Sequence, residues 1–492
     1  MKAKIKLLSV GLGAVVLGAA ALQVQAQTTL APVELTYSYP GVVPKDVAKI
    51  QAALNAYIKP KINATIKLEP IDWGAFDQKM NLGFAAGEKC DMVFTAPWIN
   101  DFYRNSRQGN FAALDTLLPK YAPRLYRSMS KAVWETAKVN GKISAVINQQ
   151  NFANRVGLFL RRDLVLKYKL DQSKINSIDD IADFLAAVKK GEPGVTPLLS
   201  DDQFYGTLIA EKLLDLDTIS VLGAVGHNDK TAKIFSPYDT PQYKRLLEVQ
   251  RKFAQSGFYT TNPLSGSDAT AAMKDGKYAG FVHFIKPGGA SERKAQFGFD
   301  FIEIPLAKAI LTTGSVTATL NAVCQSSPNP ERSLMFLELL NTDRTVYNLL
   351  AKGIEGQHWA WVNRAQRLIG FPQGVTAESS GYNPNTDWMF GNQFNAHYVT
   401  PSQVGAWESS RRSNQSATPS VLLGFVFDPT PVKTEIAQIS AVLKEKANPL
   451  ERGNIDVEKG LDALQAALKQ AGQDRLIAEE QRQVNAWLAS KR

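Results

Sequence analysis

The sequence predicts an α/β protein built on a parallel sheet. Near its start, apolar runs with strand character alternate with segments of helical periodicity, and the connections between them are short. The length of 492 residues adds a second point. It exceeds one ordinary domain and suits two or three.

The elements follow in order. VELTYSYPG (33–41) reads as a strand, and PKDVAKIQAALNAYIKPKI as a helix with apolar residues at helical spacing, among them Val47, Ile50, Leu54 and Ile58. ATIKLEPIDW (64–73) is a second strand, FDQKMNLGFAAGEK a second helix ending near Gly87, and CDMVFTAPW a third strand. NGKISAVINQQNFANRVGLFLRRDLV (140–165) gives two extended segments. A helix capped by Ser177, a strand at VTPLLSDDQF and a helix from Thr240 to Gly257 come next. MKDGKYAGFVHFIKPGG holds a turn, a strand and a glycine-rich loop. SVTATLNAVCQ reads as extended, and NPERSLMFLELLNTDRTVYNLLAKG as a helix pair. The tail from Thr434 is mostly amphipathic helix.

Composition narrows the class. Hydrophobic residues make up 45% and charged residues 21%, a globular balance. Residues 1–26 read as a signal peptide: Lys2, Lys4 and Lys6 precede an apolar run too short for an ordinary membrane span. Cleavage is expected after Ala26, with Ala21 as a second site. No cysteine stands there to carry a lipid. Without the three leading lysines the net charge falls from +10 to +7, and the surplus is scattered. The nearest cluster is RRSNQS after Glu408, so nucleic acid is not expected as a partner. Cys90 and Cys324 lie beside strand-like runs; a disulfide and two buried thiols are both open readings. Neither a metal site nor a cofactor is expected, because the four histidines are far apart and no CxxC occurs.

GxSxG, HExxH and Walker A motifs are absent, so no enzyme is expected. Aromatic and amide residues are plentiful instead. The three opening strands end near Tyr39, Asp72–Trp73 and Pro97–Trp98, where open α/β sheets bind ligands. GIEGQHWAW (353–361) and GYNPNTDWMFGNQF (381–394) mix tryptophan with amides. Sugar rings stack on indoles while their hydroxyls need Asn, Gln, Asp and charged groups. Tyr39, Trp73 and Trp98 are therefore expected on one rim, with Trp359 and Trp388 closing from the facing side. Asp72, Asp202, Tyr205, Lys286 and Asn392 are expected to hydrogen-bond the ligand, Lys286 suiting a uronate.

NGKISAVINQ, RRDLVLKYKL, KDGKYAGF and SPNPERSLMFLELLNTD followed by KGIEGQHWAW resemble, in this order, extracellular solute-binding proteins of family 1. The tail from GFVFDPTPVK onward is similar to the C-terminal domain of the lipoprotein LplA and aldouronate-type subgroup. The resemblance implies a two-lobe periplasmic-binding-protein fold with discontinuous lobes, a hinge, an inter-lobe cleft and a mostly helical C-terminal extension. It places 27–148 and 310–350 in lobe 1, 149–309 and 351–424 in lobe 2, and 425–492 packed on both. Crossings are expected near 145–152, 305–321 and 350–356. It further implies a carbohydrate ligand, an oligosaccharide of neutral or acidic character, handed to the transmembrane subunits of an ABC permease by a monomeric periplasmic protein. A peptide-binding protein and a secreted carbohydrate-active enzyme are the rival readings.

Overall fold

The computed structural model describes residues 30–491, apart from 154, 201–212, 228 and 261. The expected signal peptide lies outside the described residues, as do Asp202 and Tyr205. Among the described residues no helix is long and apolar enough to cross a membrane.

The opening alternation folds as expected. Strand β1 (Val33–Pro40) leads to helix α1 (Val47–Ile62), then strand β2 (Ala64–Ile71), helix α2 (Trp73–Ala86) and strand β3 (Met92–Thr95). On α1, Ile50, Leu54, Ile58 and Ile62 recur every four residues and bury one face against the sheet. Helix α2 begins three residues before Phe76, because the Asp72 carboxylate accepts the Gly74 N–H at 2.9 Å and caps it. It ends at Gly87, whose φ of 65° favours glycine. The strands run in the order β2–β1–β3, all parallel. Leu320–Val323 and Val146–Ile147 then extend the sheet in antiparallel sense, so the sheet is mixed.

Antiparallel pairing of Leu320–Val323 with β3 brings Cys324 beside the start of β3. A Cys90–Cys324 disulfide joins them, with Cα atoms 5.6 Å apart. The bond closes a 234-residue separation. Replacing both cysteines by serine is expected to cost roughly 2–5 kcal/mol of stability, read as a lower thermal midpoint. An unchanged midpoint would show that the bond does not constrain the unfolded chain.

A second core lies around Val156, Leu158 and Leu160. Its sheet places Arg155–Arg161 between Gly280–Ile285 and Phe301–Pro305, both antiparallel to it. The helices Ala182–Gly191 and Pro241–Gln255 cover it. The C-terminal helices join the same core through Ile439, Leu461, Leu464, Leu468 and Leu476. Their apolar stripe at helical spacing is buried there, so the tail completes the second lobe rather than packing evenly on both.

Residues 351–407 also depart from the expected boundaries. Tyr382, Met389, Phe390, Phe394 and Trp407 are buried in the first core with β1 and β3, so this stretch belongs to lobe 1. Tyr382, Phe390 and Phe394, from the aromatic and amide stretch 381–394, are among its anchors.

The crossings follow from this division. One lies between Phe152, in the first core, and Val156, in the second. Another runs through Ile310–Leu311. The third is at Thr418–Pro419, not at 350–356, and pairs with the second as a two-stranded ladder. Asn414 ties the first crossing in: its Oδ1 accepts the Phe152 and Ala153 N–H groups at 2.8 and 3.1 Å, and its Nδ2 donates to the Gln150 carbonyl at 2.7 Å. All three strands of chain thus meet in one hinge.

Candidate ligand-binding site

The parallel strands set the site. The carboxyl ends of β2 and β3 flank that of β1, and each is followed by a tryptophan. Trp73 opens α2, where the Asp72 cap fixes the turn. Trp98 follows Pro97, which lies just past β3 and can donate no ladder hydrogen bond. The Trp98 indole N–H donates to the Ala318 carbonyl at 2.8 Å, which holds the ring upright. Trp73 and Trp98 are stacked, with centroids 6.4 Å apart and 22° between planes. Trp388 completes a triangle at 6.2 Å from Trp73 and 5.9 Å from Trp98. Phe94, fully buried in β3, supports both Trp98 and Trp388 from below.

These rings are exposed where apolar groups normally are not. Trp98 is 54% accessible and Trp73 36%. Two neighbouring indoles exposed in one patch mark a surface that a partner or ligand covers.

Trp388 also borders a cavity of about 650 Å³ between the lobes. Lobe 2 contributes Lys286, Glu292, Arg293 and Gln296; lobe 1 contributes Lys352, Asp387, Gln393, His397 and Trp407. The charges are largely matched within each lobe. Lys286 pairs with Glu292 at 3.0 Å and Lys352 with Asp387 at 2.6 Å. Arg293 donates to Gln296 Oε1 at 2.6 Å and lies 2.9 Å from His283 Nε2. Burial, then the charges of Arg367 and Lys352, pulls His397 down to about 4. Its imidazole is therefore neutral at physiological pH, and its shielded Nδ1 has no protein partner. A neutral imidazole beside amides suits hydroxyl groups, which donate and accept together.

The expected site residues divide. Trp73, Trp98 and Trp388 converge, but Trp388 comes from lobe 1 and not from the facing side, since Met389 and Phe390 anchor it in the first core. Lys286 lines the cavity as the ion-pair partner of Glu292. Asp72 stands at the platform edge with one oxygen committed to the helix cap. Tyr39 is not on the rim: it is 5% accessible, and its ring packs on Tyr37 and Phe390 at 5.1 and 5.2 Å. Its position in β1 turns it into the core. Trp359 is also buried, donating to the Gly353 carbonyl at 3.0 Å and backing His397 at 5.1 Å. Asn392 is buried and caps its own turn by accepting the Phe394 N–H at 3.1 Å. Sequence reasoning missed Arg293, Gln296 and His397. Gln393 lay inside the flagged GYNPNTDWMFGNQF, and its amide chemistry was the available signal.

Two α/β lobes, three crossings and an aromatic-lined cleft define a solute-binding protein. The family profile described as bacterial extracellular solute-binding protein matches residues 43–344, and this chain belongs to that family. A profile described as a domain of unknown function (DUF3502) matches residues 421–489. The chain is 26% identical over 460 residues to a carbohydrate ABC transporter substrate-binding protein of Streptococcus pneumoniae, covering 92% of this chain and 90% of that one. In fold it is similar to the N-glycan transport solute binding protein of Streptococcus pneumoniae, with a TM-score of 0.83 at 23% identity over 94% of this chain and all of that one. The same protein in complex with Man5GlcNAc gives 0.69 at 23% identity, over 94% of this chain and 99% of that one. The alginate-binding protein AlgQ2 gives 0.62 at 16% identity, over 93% and 99%.

Proposed function

We propose that this protein captures an oligosaccharide between its lobes, outside the cytoplasm, and delivers it to the membrane subunits of an ABC importer without chemical change. The single observation that carries this reading is the Trp73–Trp98–Trp388 triangle, exposed at Trp73 and Trp98, with Trp388 bordering the inter-lobe cavity. Three indole faces within 6.4 Å of one another offer stacking surfaces to consecutive sugar rings. The family, and relatives named for carbohydrate transport, support it. Export by a cleaved leader accords with residues 1–26.

The cavity favours a neutral glycan over a uronate. Lys286 and Lys352 already have carboxylate partners, so an acidic sugar would have to displace Glu292 or Asp387. Tryptophan fluorescence tests the reading. Neutral oligosaccharides are expected to give a saturable spectral change, and uronate oligomers a weaker one. Silence toward every oligosaccharide, with thermal stabilisation by peptides, would overturn it.

A further inference from the structure

Two of the platform tryptophans are held from one short stretch of chain. The Trp98 indole N–H donates to the Ala318 carbonyl at 2.8 Å. The next residue, Thr319, donates its hydroxyl proton to the Trp388 carbonyl at 3.3 Å. Thr317, on the other side, gives its hydroxyl proton to the Thr313 carbonyl at 2.8 Å and so accepts from the Tyr103 hydroxyl at 2.9 Å. Thr317 and Thr319 are both buried, which shields these bonds from water.

The same stretch is where the hinge enters lobe 1. It lies between the crossing at Ile310–Leu311 and the sheet strand Leu320–Val323. The helical turn Thr313–Val316 joins them, and it is bonded to the chain leaving the third crossing. The Thr313 hydroxyl donates to the Leu422 carbonyl at 3.1 Å and accepts the Gly424 N–H at 2.9 Å. Leu422 is buried with Val225, Ile234 and Val484, on the lobe 2 side of the hinge. The first crossing reaches the stretch from another direction. The Gln150 side-chain amide donates to the Thr319 hydroxyl at 2.9 Å. The Gln150 carbonyl accepts from Asn414, the residue that also binds Phe152 and Ala153. A chain of hydrogen bonds thus runs from Asn414 through Gln150 and Thr319 to Trp388. It begins where two crossings are tied together and ends on the main chain of a platform residue.

We propose that Gln150 and Thr319 are positioning residues that couple the hinge to the platform, so that the setting of the crossings fixes where the Trp388 ring stands beside Trp98. This rests on the reading of the three tryptophans as a sugar platform. Thr319 is 4% accessible, too enclosed to touch a ligand, and acts through the Trp388 main chain. Its hydroxyl accepts on one side and donates on the other, which a methyl group cannot do. A gap of about 0.5–1 Å forfeits a quarter to a half of a dispersion contact, so a small displacement of the ring weakens stacking.

Fluorine NMR of the full chain labelled with fluorotryptophan reads the coupling without ligand, with Trp98 and Trp388 assigned by replacing each with phenylalanine. Asn414→Ala, at the hinge end, is expected to move the Trp388 resonance and to leave that of Trp134, buried elsewhere in lobe 1, in place. Thr319→Val should shift the Trp388 resonance by itself, and Asn414→Ala added to it should shift that resonance no further. Calorimetry then uses the neutral oligosaccharide with the largest fluorescence response in a set of manno-, malto- and xylo-oligosaccharides. Affinity should fall about fivefold in Thr319→Val and return in Thr319→Ser, which restores the hydroxyl. Gln150→Met breaks the same chain at a half-buried side chain and keeps the test open if Thr319→Val does not fold. A Trp388 resonance indifferent to Asn414→Ala, or equally responsive with and without the Thr319 hydroxyl, overturns the coupling. So does a Thr319→Ser variant that binds no better than Thr319→Val. If the wild-type protein binds none of these sugars, the transport reading is what fails, and the resonances alone decide the coupling.

Discussion

Trp98→Ala should weaken oligosaccharide binding by about 2 kcal/mol, roughly thirtyfold in Kd, and leave the ligand-free thermal midpoint nearly unchanged. The two halves of this result have one cause. The ring is 54% accessible, so its removal opens no cavity in the core. The Ala318 carbonyl that loses the indole N–H lies beside an exposed residue, where water can replace the donor. In the complex, the same ring would be covered by sugar and would contribute its full stacking face. Tyr39→Ala should behave in the opposite way. Tyr39 is buried among Tyr37 and Phe390, so its loss is expected to cost about 3–5 kcal/mol of stability, as for other large buried aromatics. Calorimetry and thermal melts on the two variants separate platform from core. Equal affinity losses in both, or a large drop in midpoint for Trp98→Ala, would return Trp98 to a structural role.

The second large effect is a dependence of stability on pH, set where the C-terminal segment joins lobe 2. Glu451 is 1% accessible and accepts the Tyr243 hydroxyl at 2.9 Å, while its second oxygen has no partner. Burial raises it to about 7. Glu480, on the last helix, is fully buried against Ser220 and Gly223, and burial raises it to about 7 as well. The folded chain therefore holds protons that the unfolded chain, with carboxylates near 4.5, has released. Stability is greatest below the unfolded pKa. It falls as pH rises from about 4.5 through 7, and above that the loss is complete. A shift of this size corresponds to about 3 kcal/mol for a fully buried group. The thermal midpoint is expected to be higher at pH 5.5 than at pH 8. Glu451→Gln should raise it at pH 8 and change it little at pH 5. A flat profile, with no gain from Glu451→Gln at pH 8, would mean that the carboxyl is hydrated and ionised in the fold.

Much of this was legible in the chain. The alternation from Val33 to Thr95 exposed the parallel opening, because periods of two and of about 3.6 residues are local properties. The helix start at Thr240 and the stop at Gly87 were readable for the same reason, a cap being made by residues a few places apart, whereas the cap at Asp72 reads in sequence as the end of a strand. The order of motifs pointed to the family before any contact was visible. Trp73 and Trp98 were found by where their strands end.

The failures share one physical origin. Tyr39 and Trp98 look alike in sequence, each an aromatic at a strand end. Which one faces solvent depends on strand direction and on what packs alongside, and Phe390 lies 351 positions from Tyr39. The stretches 353–361 and 381–394 looked ligand-facing from composition, yet Tyr382, Phe390 and Phe394 fill the core of lobe 1. The third crossing and the matching of Lys286 by Glu292 across a turn were equally beyond local reading. Local periodicity and capping are fixed by neighbours in the chain, so the sequence alone determined the elements and the family. Burial, charge pairing and lobe membership depend on groups that only folding brings together, so the tertiary structure alone decided which tryptophans form the platform.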